Sequence, residues 1–121
     1  MEPLARQWLQ DQLDRRQGQT WYVHLETTMG AYTKGSYGLF ARNARWTLNR
    51  GHVAGGEGGK PFRVALSGPE GWIWVEGLTH GQVDEEGRLL LMGQDDKGRL
   101  TVALELSPVP FPVVKEEDFH E

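Results

Sequence analysis

The sequence has no cysteine, fewer basic than acidic residues and no long apolar run. The lack of cysteine excludes a disulfide framework, a thiolate nucleophile and a cysteine zinc site, and it fits a reducing cytoplasm, which is the expected location. No segment approaches the roughly 18 consecutive apolar residues of a membrane span, and the N-terminus MEPLARQWLQ lacks the pattern of a secretory signal. We therefore expect a protein that is neither secreted nor membrane-spanning.

The charge balance limits the expected binding partners, and the glycine content indicates the kind of fold. Thirteen basic residues against seventeen acidic ones give a formal net charge of −4. This total disfavours nonspecific binding to nucleic acid or anionic lipid, so neither is an expected partner. Sixteen glycines among 121 residues indicate many tight turns, and the length predicts a single domain over residues 1–121.

The N-terminal segment has helical periodicity. Pro3 is compatible with a first helical turn, and Gly18 stands where a helix commonly ends. Between them, apolar residues recur at helical spacing, namely Leu4, Trp8, Leu9 and Leu13. The pattern predicts an amphipathic helix over residues 3–17, packed on the sheet that follows, with Trp8 as its main anchor.

Residues 19–107 alternate with the period of β-strands. In the first strand Trp21, Val23 and Leu25 face one way, and Tyr22, His24 and Glu26 face the other. Further strands are predicted over 39–48, 61–66, 72–76 and 99–106, with loops over 27–38 and 52–60 and two similar turns at 84–89 and 95–100 that mark consecutive hairpins. The prediction is a mainly all-β domain, an antiparallel six-stranded meander closed or nearly closed into a barrel.

The strand at 72–76 is apolar on both faces. Trp72, Trp74 and Leu78 are predicted on one side, and Ile73 and Val75 on the other. Such a strand must be covered on both faces, by the helix or by a partner subunit. We expect a homodimer, because the Ile73/Val75 face needs more cover than one helix supplies.

The C-terminal segment 108–121 is predicted to be a proline-rich strap followed by an acidic tail. Pro108, Pro110 and Pro112 lack the N–H groups that a regular strand pairing needs. The sequence KEEDFHE beyond them is acidic and is expected to be frayed.

Five segments carry a resemblance to a known family: 24–32 (HLETTMGAY), 41–45 (ARNAR), 61–66 (PFRVAL), 70–79 (EGWIWVEGLT) and 84–90 (DEEGRLL). In this order, and spanning nearly the whole chain, they resemble the YojF family. The resemblance implies a meander barrel with an extra helix, a domain of unknown function, and genes that often lie beside a zinc-dependent N-acetylglucosaminyl deacetylase of bacillithiol biosynthesis. It implies no catalytic residues.

Candidate binding residues come from charges among apolar strands. His24 and Glu26 fall on one strand face about 7 Å apart, but no third ligand is identifiable, so we expect an exposed or hydrogen-bonded pair and no metal site. A ligand-binding patch is predicted from six residues: His24, Glu26, Arg42, Arg63, Trp72 and Glu76. Ion pairing within the fold is the alternative interpretation of these charges.

Other patterns in the sequence do not match a known binding or catalytic motif. Alternation places Arg42 with Phe40 and Trp46 but Arg45 on the opposite face, which breaks a basic stripe for nucleic acid. The glycine run 55–60 lacks the spacing of a phosphate-binding loop, and the five tryptophans are expected mainly in the core. No catalytic motif is present, so neither an enzyme nor a cofactor is predicted.

The leading functional interpretation is a non-enzymatic cytoplasmic accessory or interaction protein, with the deacetylase as a possible partner that the family resemblance implies. The alternative is a small-molecule-binding barrel with a pocket lined by tryptophans.

Overall fold

The computed structural model describes residues 1–27 and 38–112, in which one α-helix and nine short strands occur. The helix α1 spans Arg6–Arg15, within the predicted range. The strands are β1 (Glu2–Pro3), β2 (Thr20–Thr27), β3 (Phe40–Thr47), β4 (Arg50–Gly55), β5 (Phe62–Ser67), β6 (Trp72–Leu78), β7 (His80–Val83), β8 (Leu89–Gln94) and β9 (Leu100–Ser107). The mainly-β prediction with one N-terminal helix is confirmed. The predicted loop at 27–38 and the acidic tail lie almost entirely outside the described residues.

All strand pairs are antiparallel, and they form two sheets. The six-stranded sheet has the order β1-β7-β8-β9-β2-β3, and the three-stranded sheet has the order β4-β5-β6. The closed or nearly closed barrel predicted from the sequence is not found among the described residues. The chain instead changes sheets at two corners, since the Leu48 N–H donates to Gln19 while the Asn49 N–H donates to Ser67 of β5. The second corner lies between Leu78, paired with β5, and Thr79, bonded to β8.

Three strands were not predicted. β1 lies where the first helical turn was expected, and its Pro3 pairs with His80 of β7. β4 and a 3-10 turn at Glu57–Gly59 replace most of the flexible connection predicted over 52–60. β7 is only four residues long and contains a glycine, so its alternation is too short to read from the sequence.

Helix α1 packs along the edge of the three-stranded sheet. Its Leu9 and Leu13 are fully buried and are its anchors, whereas Trp8 is only partly buried, contrary to the prediction. The Arg6 guanidinium donates to the carbonyl groups of Val53 and Gly55, and the Gln10 amide donates to Gly51 O at 3.0 Å. These bonds satisfy the edge carbonyls of β4, which would otherwise be open to pairing with another strand.

The core lies between the two sheets and the helix. It consists of aliphatic side chains from every layer and one indole, namely Leu9, Leu13, Trp21, Val23, Leu48, Val64, Leu66, Val75, Leu78, Leu89, Leu91, Val102, Leu104 and Leu106. The inner and outer faces of β2 and β9 follow the predicted alternation. No helix among residues 1–27 and 38–112 has the length and apolar content needed to cross a membrane.

Two bulges change which side chains face outward. Asn43, with a φ of 61°, is an extra residue in β3, because Val23 pairs with Ala44 while His24 pairs with Arg42. Gly77, with a φ of 83°, has the same effect in β6. Because of the second bulge, Leu78 is buried and does not share the face of Trp72 and Trp74 that was predicted for it.

The two predicted turns form as near copies of each other. In the first, the Asp84 carboxylate accepts the backbone N–H groups of Glu86 and Arg88 at 3.0 and 2.9 Å. In the second, the Asp95 carboxylate accepts those of Lys97 and Arg99, both at 2.9 Å. The turns are therefore closed by an aspartate side chain that caps the loop.

Candidate functional site

The six residues predicted to form one patch lie in two groups on different sheets. His24, Glu26 and Arg42 lie on the outer face of the six-stranded sheet, where His24 pairs with Arg42 across β2 and β3. Arg63, Trp72 and Glu76 lie on the outer face of the three-stranded sheet. The structure therefore brings three of the six residues together on each sheet, and it does not form one patch of all six.

The first group lies beneath the C-terminal strap, and we call it the strap cluster: His24, Glu26, Arg42, Asn43 and Phe111. Asn43 pairs with the strap as a strand would, since its Nδ2 donates to Phe111 O at 3.0 Å and its Oδ1 accepts the Phe111 N–H at 2.7 Å. The Nε of Arg42 donates to Pro112 O at 3.1 Å. The predicted strap is present over 108–112 and contains no regular strand.

Phe111 is the centre of the strap cluster. Its ring is 4% exposed and lies between two guanidinium groups, 5.0 Å from that of Arg42 and 5.3 Å from that of Arg88. It also lies 5.9 Å from the His24 ring. As a result His24 is only 6% exposed, so the polar outer face predicted for the first strand is covered.

The hydrogen bonds of His24 assign the positions of its protons. A guanidinium can only donate, so the contact of 3.1 Å from Arg42 Nη1 requires His24 Nδ1 to accept. The ring proton then lies on Nε2, which faces Glu26 Oε1 at 3.3 Å. Both nitrogens of His24 are occupied within the protein, which favours a structural role for the pair.

No other potential metal ligand joins this pair. Among the residues that the structure describes, no three histidine, cysteine, aspartate or glutamate side chains come together in a way that could hold an ion. His120 lies outside those residues.

The bulge at Asn43 also corrects the predicted position of two arginines. Arg42 and Trp46 were expected on one face of β3 with Arg45 opposite. Because of the extra residue, Arg42 and Arg45 share the outer face, and Trp46 lies inward opposite Trp21. Both guanidinium groups are nevertheless engaged within the fold, since Arg45 lies 5.8 Å from the ring of Tyr22.

The second group belongs to a surface that we call the tryptophan face, the outer side of β4, β5 and β6. The strand register arranges it in three rows across the sheet: Arg50, Ser67 and Trp72, then His52, Ala65 and Trp74, then Ala54, Arg63 and Glu76. The third row is shifted by the bulge in β6. A groove of about 240 Å³ crosses this face, with the small alanines between taller side chains.

The two tryptophans of this face are exposed. Trp72 is 61% and Trp74 is 57% exposed, so the prediction that the tryptophans are mainly core is wrong for these two. Trp21 is buried, and Trp8 and Trp46 pack partly against the core. A large exposed indole pair in so small a chain indicates a contact surface.

The charges on the tryptophan face are mostly cationic. The guanidinium of Arg63 lies 4.7 Å from the Trp74 ring and 3.5 Å from the Glu76 carboxylate. The ring of His52 lies 5.7 Å from that of Trp72. Within residues 1–27 and 38–112, Arg50 makes no ion pair.

Sequence reasoning missed His52, Ala54 and Ala65 as members of this face. The segment that contains His52 and Ala54 was assigned to a flexible loop because of its glycines. Once β4 is recognised, alternation alone places both residues beside Arg63 and Ala65.

Comparisons with known proteins identify the family. A model described as "Protein of unknown function (DUF1806)" matches residues 3–111. The "Uncharacterized protein YojF" of Bacillus subtilis (strain 168) is 37% identical over 119 residues, which cover 93% of this chain and all of that protein. The crystal structure of B. subtilis YojF superposes with a TM-score of 0.77 at 36% identity, covering 93% of this chain and 97% of the other. The chain therefore belongs to the DUF1806 family, and the resemblance noted from the sequence is confirmed.

Proposed function

We propose that this member of the DUF1806 family is a non-enzymatic accessory protein that binds another protein through its tryptophan face. The observation that carries the proposal is the exposure of Trp72 and Trp74 side by side on one sheet face. Tryptophan is among the residues most enriched at the energetic centres of protein interfaces. The non-enzymatic part rests on the sequence, which contains no recognisable catalytic motif.

The area of these two indoles is large enough to dominate an interface. A whole tryptophan side chain offers up to about 250 Å², so about 60% exposure leaves roughly 150 Å² on each. At about 25 cal/mol per Å², burial of each indole stabilises a complex by up to about 4 kcal/mol. Values of that size are typical of interface hot spots.

The remaining side chains of the face specify the chemistry of the partner. Arg50 and Arg63 are cationic, and Glu76 is the face's one acidic residue, already paired with Arg63. A complementary surface would carry apolar side chains for the groove and a carboxylate for Arg50. We propose as partner the bacillithiol-pathway deacetylase that the family resemblance implies, which places the complex in the cytoplasm.

The test is a calorimetric titration of the purified deacetylase into this protein. The wild type should bind, and the double variant Trp72→Ala/Trp74→Ala should lose at least about 100-fold in affinity, because two hot spots are removed. Phe40→Ala is the matched control, since Phe40 is also exposed, at 53%, but lies on the other sheet. Binding that is absent, or equal in the double variant, would contradict this proposal.

A second copy of the chain is the competing occupant of the face. Light scattering of the wild type and of the double variant separates the cases. A dimer that becomes a 13.7 kDa particle in the double variant would assign the tryptophan face to a homodimer.

The groove itself favours a second candidate function, the binding of a small ring-containing molecule. Ala54 and Ala65 leave room beside the indoles, and Arg63 lines the groove and offers polar contacts. This site lies on the outside of a sheet and not inside a barrel. A thermal-shift screen with amino sugars, malate conjugates and thiols tests it, and a rise in Tm that is lost in Trp74→Ala would support it.

A further inference from the structure

A second groove, remote in sequence from the tryptophan face, lies where helix α1 ends and β2 begins. Its volume is about 440 Å³. Seven residues line it, and we call it the arginine groove: Trp8, Gln12, Arg15, Arg16, Gln19, Trp21 and Val83. Two of them are cationic and none is acidic, although the chain as a whole is acidic.

Arg16 is buried in the wall of this groove without a counter-ion. It is 6% exposed, and among the residues that the structure describes no carboxylate lies within ion-pair distance of it. Its Nη1 donates to the backbone and side-chain oxygens of Gln12, both at 2.9 Å, and its Nη2 donates to Gly87 O at 3.2 Å. Its Nε is buried and has no hydrogen-bond partner.

The burial of the Arg16 guanidinium without a counter-ion lowers the stability of the fold. A guanidinium stays charged, and a buried charge without a counter-ion is strongly disfavoured. Burial, and then the neighbouring charge of Arg15, lower the pKa of Arg16 from its ordinary value. Neutral carbonyl groups satisfy part of the guanidinium but supply no negative charge.

The surrounding aromatic groups hold Arg16 in place and leave a flat wall beside it. The indole Nε1 of Trp21 donates to Arg16 O at 2.9 Å, and the Trp21 ring lies 5.4 Å from the guanidinium carbon. Trp21 is buried and also lines the groove beside Arg16. Trp8 is only partly buried and presents its indole to the groove.

We propose that the arginine groove binds a small oxyanion, a carboxylate or a phosphate, carried on a planar ring. The positive charges of Arg16, which has no counter-ion among the described residues, and of Arg15 attract the oxyanion, and the ring contacts Trp8. The Gln12 and Gln19 amides line the same groove and can bond to polar substituents of the ring. This site is independent of the tryptophan face and does not rest on the function proposed for it.

The five indole N–H groups allow the binding site to be read directly. In a ¹H–¹⁵N spectrum each tryptophan gives one indole signal, assignable by single Trp→Phe variants. Benzoate and phenyl phosphate serve as probes, with uncharged benzamide as their matched control. We expect saturable shifts of the Trp8 and Trp21 signals with one or both oxyanions, no comparable shifts with benzamide, and unmoved Trp72 and Trp74 signals.

Three variants test the role of the two arginines. Arg15→Gln removes an exposed charge that makes no ion pair with the described residues, and it should weaken probe binding about fivefold. Arg16→Met retains the apolar stem and should weaken it at least about tenfold. Lys97→Gln removes an exposed positive charge from the turn at 95–100, which lines neither groove, and should leave probe binding unchanged.

Several results would overturn the proposal. They are no saturable shift with either oxyanion, equal shifts with benzamide, or unchanged affinity in Arg15→Gln. The last holds even if Arg16→Met does not fold, because Arg15 is exposed and makes no ion pair with the residues that the structure describes. The tighter of the two oxyanions identifies the headgroup, and either one supports the site.

Discussion

Phe111 should hold the C-terminal strap to the six-stranded sheet, and the variant Phe111→Ala tests this. The ring is almost fully buried between the guanidinium groups of Arg42 and Arg88 and beside His24. Its removal leaves a space that the surrounding charged side chains cannot fill with apolar atoms. The variant should therefore lose both the buried ring and two cation–π contacts.

The magnitude follows from these contacts. A buried Phe→Ala change typically costs about 3–5 kcal/mol, and each exposed cation–π contact adds about 0.5–1 kcal/mol. The strap lies at the surface and can lift away, so we expect the lower end, about 3 kcal/mol. With an unfolding entropy of about 2.1 cal/mol/K per residue, this corresponds to a fall in Tm of about 12 °C.

Urea unfolding followed by tryptophan fluorescence measures the change, with Val109→Ala as the matched control. Val109 belongs to the same strap but is 48% exposed, so its truncation should cost no more than about 0.5 kcal/mol. Asn43→Gly keeps the positive φ and removes both bonds to the Phe111 backbone, so its cost should not add fully to that of Phe111→Ala. A loss below about 1 kcal/mol in Phe111→Ala, equal to that in Val109→Ala, would refute this account of the strap.

Two further predictions concern Asp95, in the turn between β8 and β9, and Gly93 of β8, which lies close to Gly77 of β6. The backbone N–H of Arg99, followed by its guanidinium, holds the pKa of Asp95 below its ordinary value of 3.8. The ionised Asp95 carboxylate therefore stabilises the fold fully above pH 3.8, and this stabilisation is lost as pH falls from there through the folded pKa. The variant Asp95→Asn should have a lower free energy of unfolding than the wild type in urea at neutral pH, and the difference should vanish in strong acid. A difference that persists in strong acid would contradict this role of Asp95. Gly93→Ala would place a Cβ against the backbone carbonyl oxygen of Gly77, so it should cost about 2–3 kcal/mol in the same assay. Gly71→Ala, whose Cβ would meet only the Trp46 ring at 3.9 Å, should be neutral, and equal costs would count against the packing at Gly93.

The regular parts of the fold could be predicted from the sequence because their periodicity is local. Leu9 and Leu13 mark the inner side of the helix, and alternation from Trp21 to Leu25 marks the first strand. The repeated aspartate turns could also be predicted, since each is closed by bonds within five residues of chain. These features depend on short-range geometry that the residue types themselves determine.

The parts that were missed depend on contacts distant in sequence. A bulge such as that at Asn43 inserts one residue and reverses which side chains face outward beyond it, and its position is defined by the pairing with β2. The two corners at which the chain changes sheets are likewise invisible, because a bent strand and a straight one have the same pattern. For the same reason the candidate patch was predicted as one surface and is divided between two sheets.

The outer faces of the two sheets explain where binding is to be expected. On the six-stranded sheet, Phe111 of the strap covers His24, and the hydrogen-bonding groups beneath it are largely satisfied within the fold. On the three-stranded sheet, Arg63 and His52 lie against Trp74 and Trp72, yet both indoles remain more than half exposed. This difference between the two outer faces is the reason for placing the proposed contact with a second molecule at Trp72 and Trp74 and not at the strap cluster.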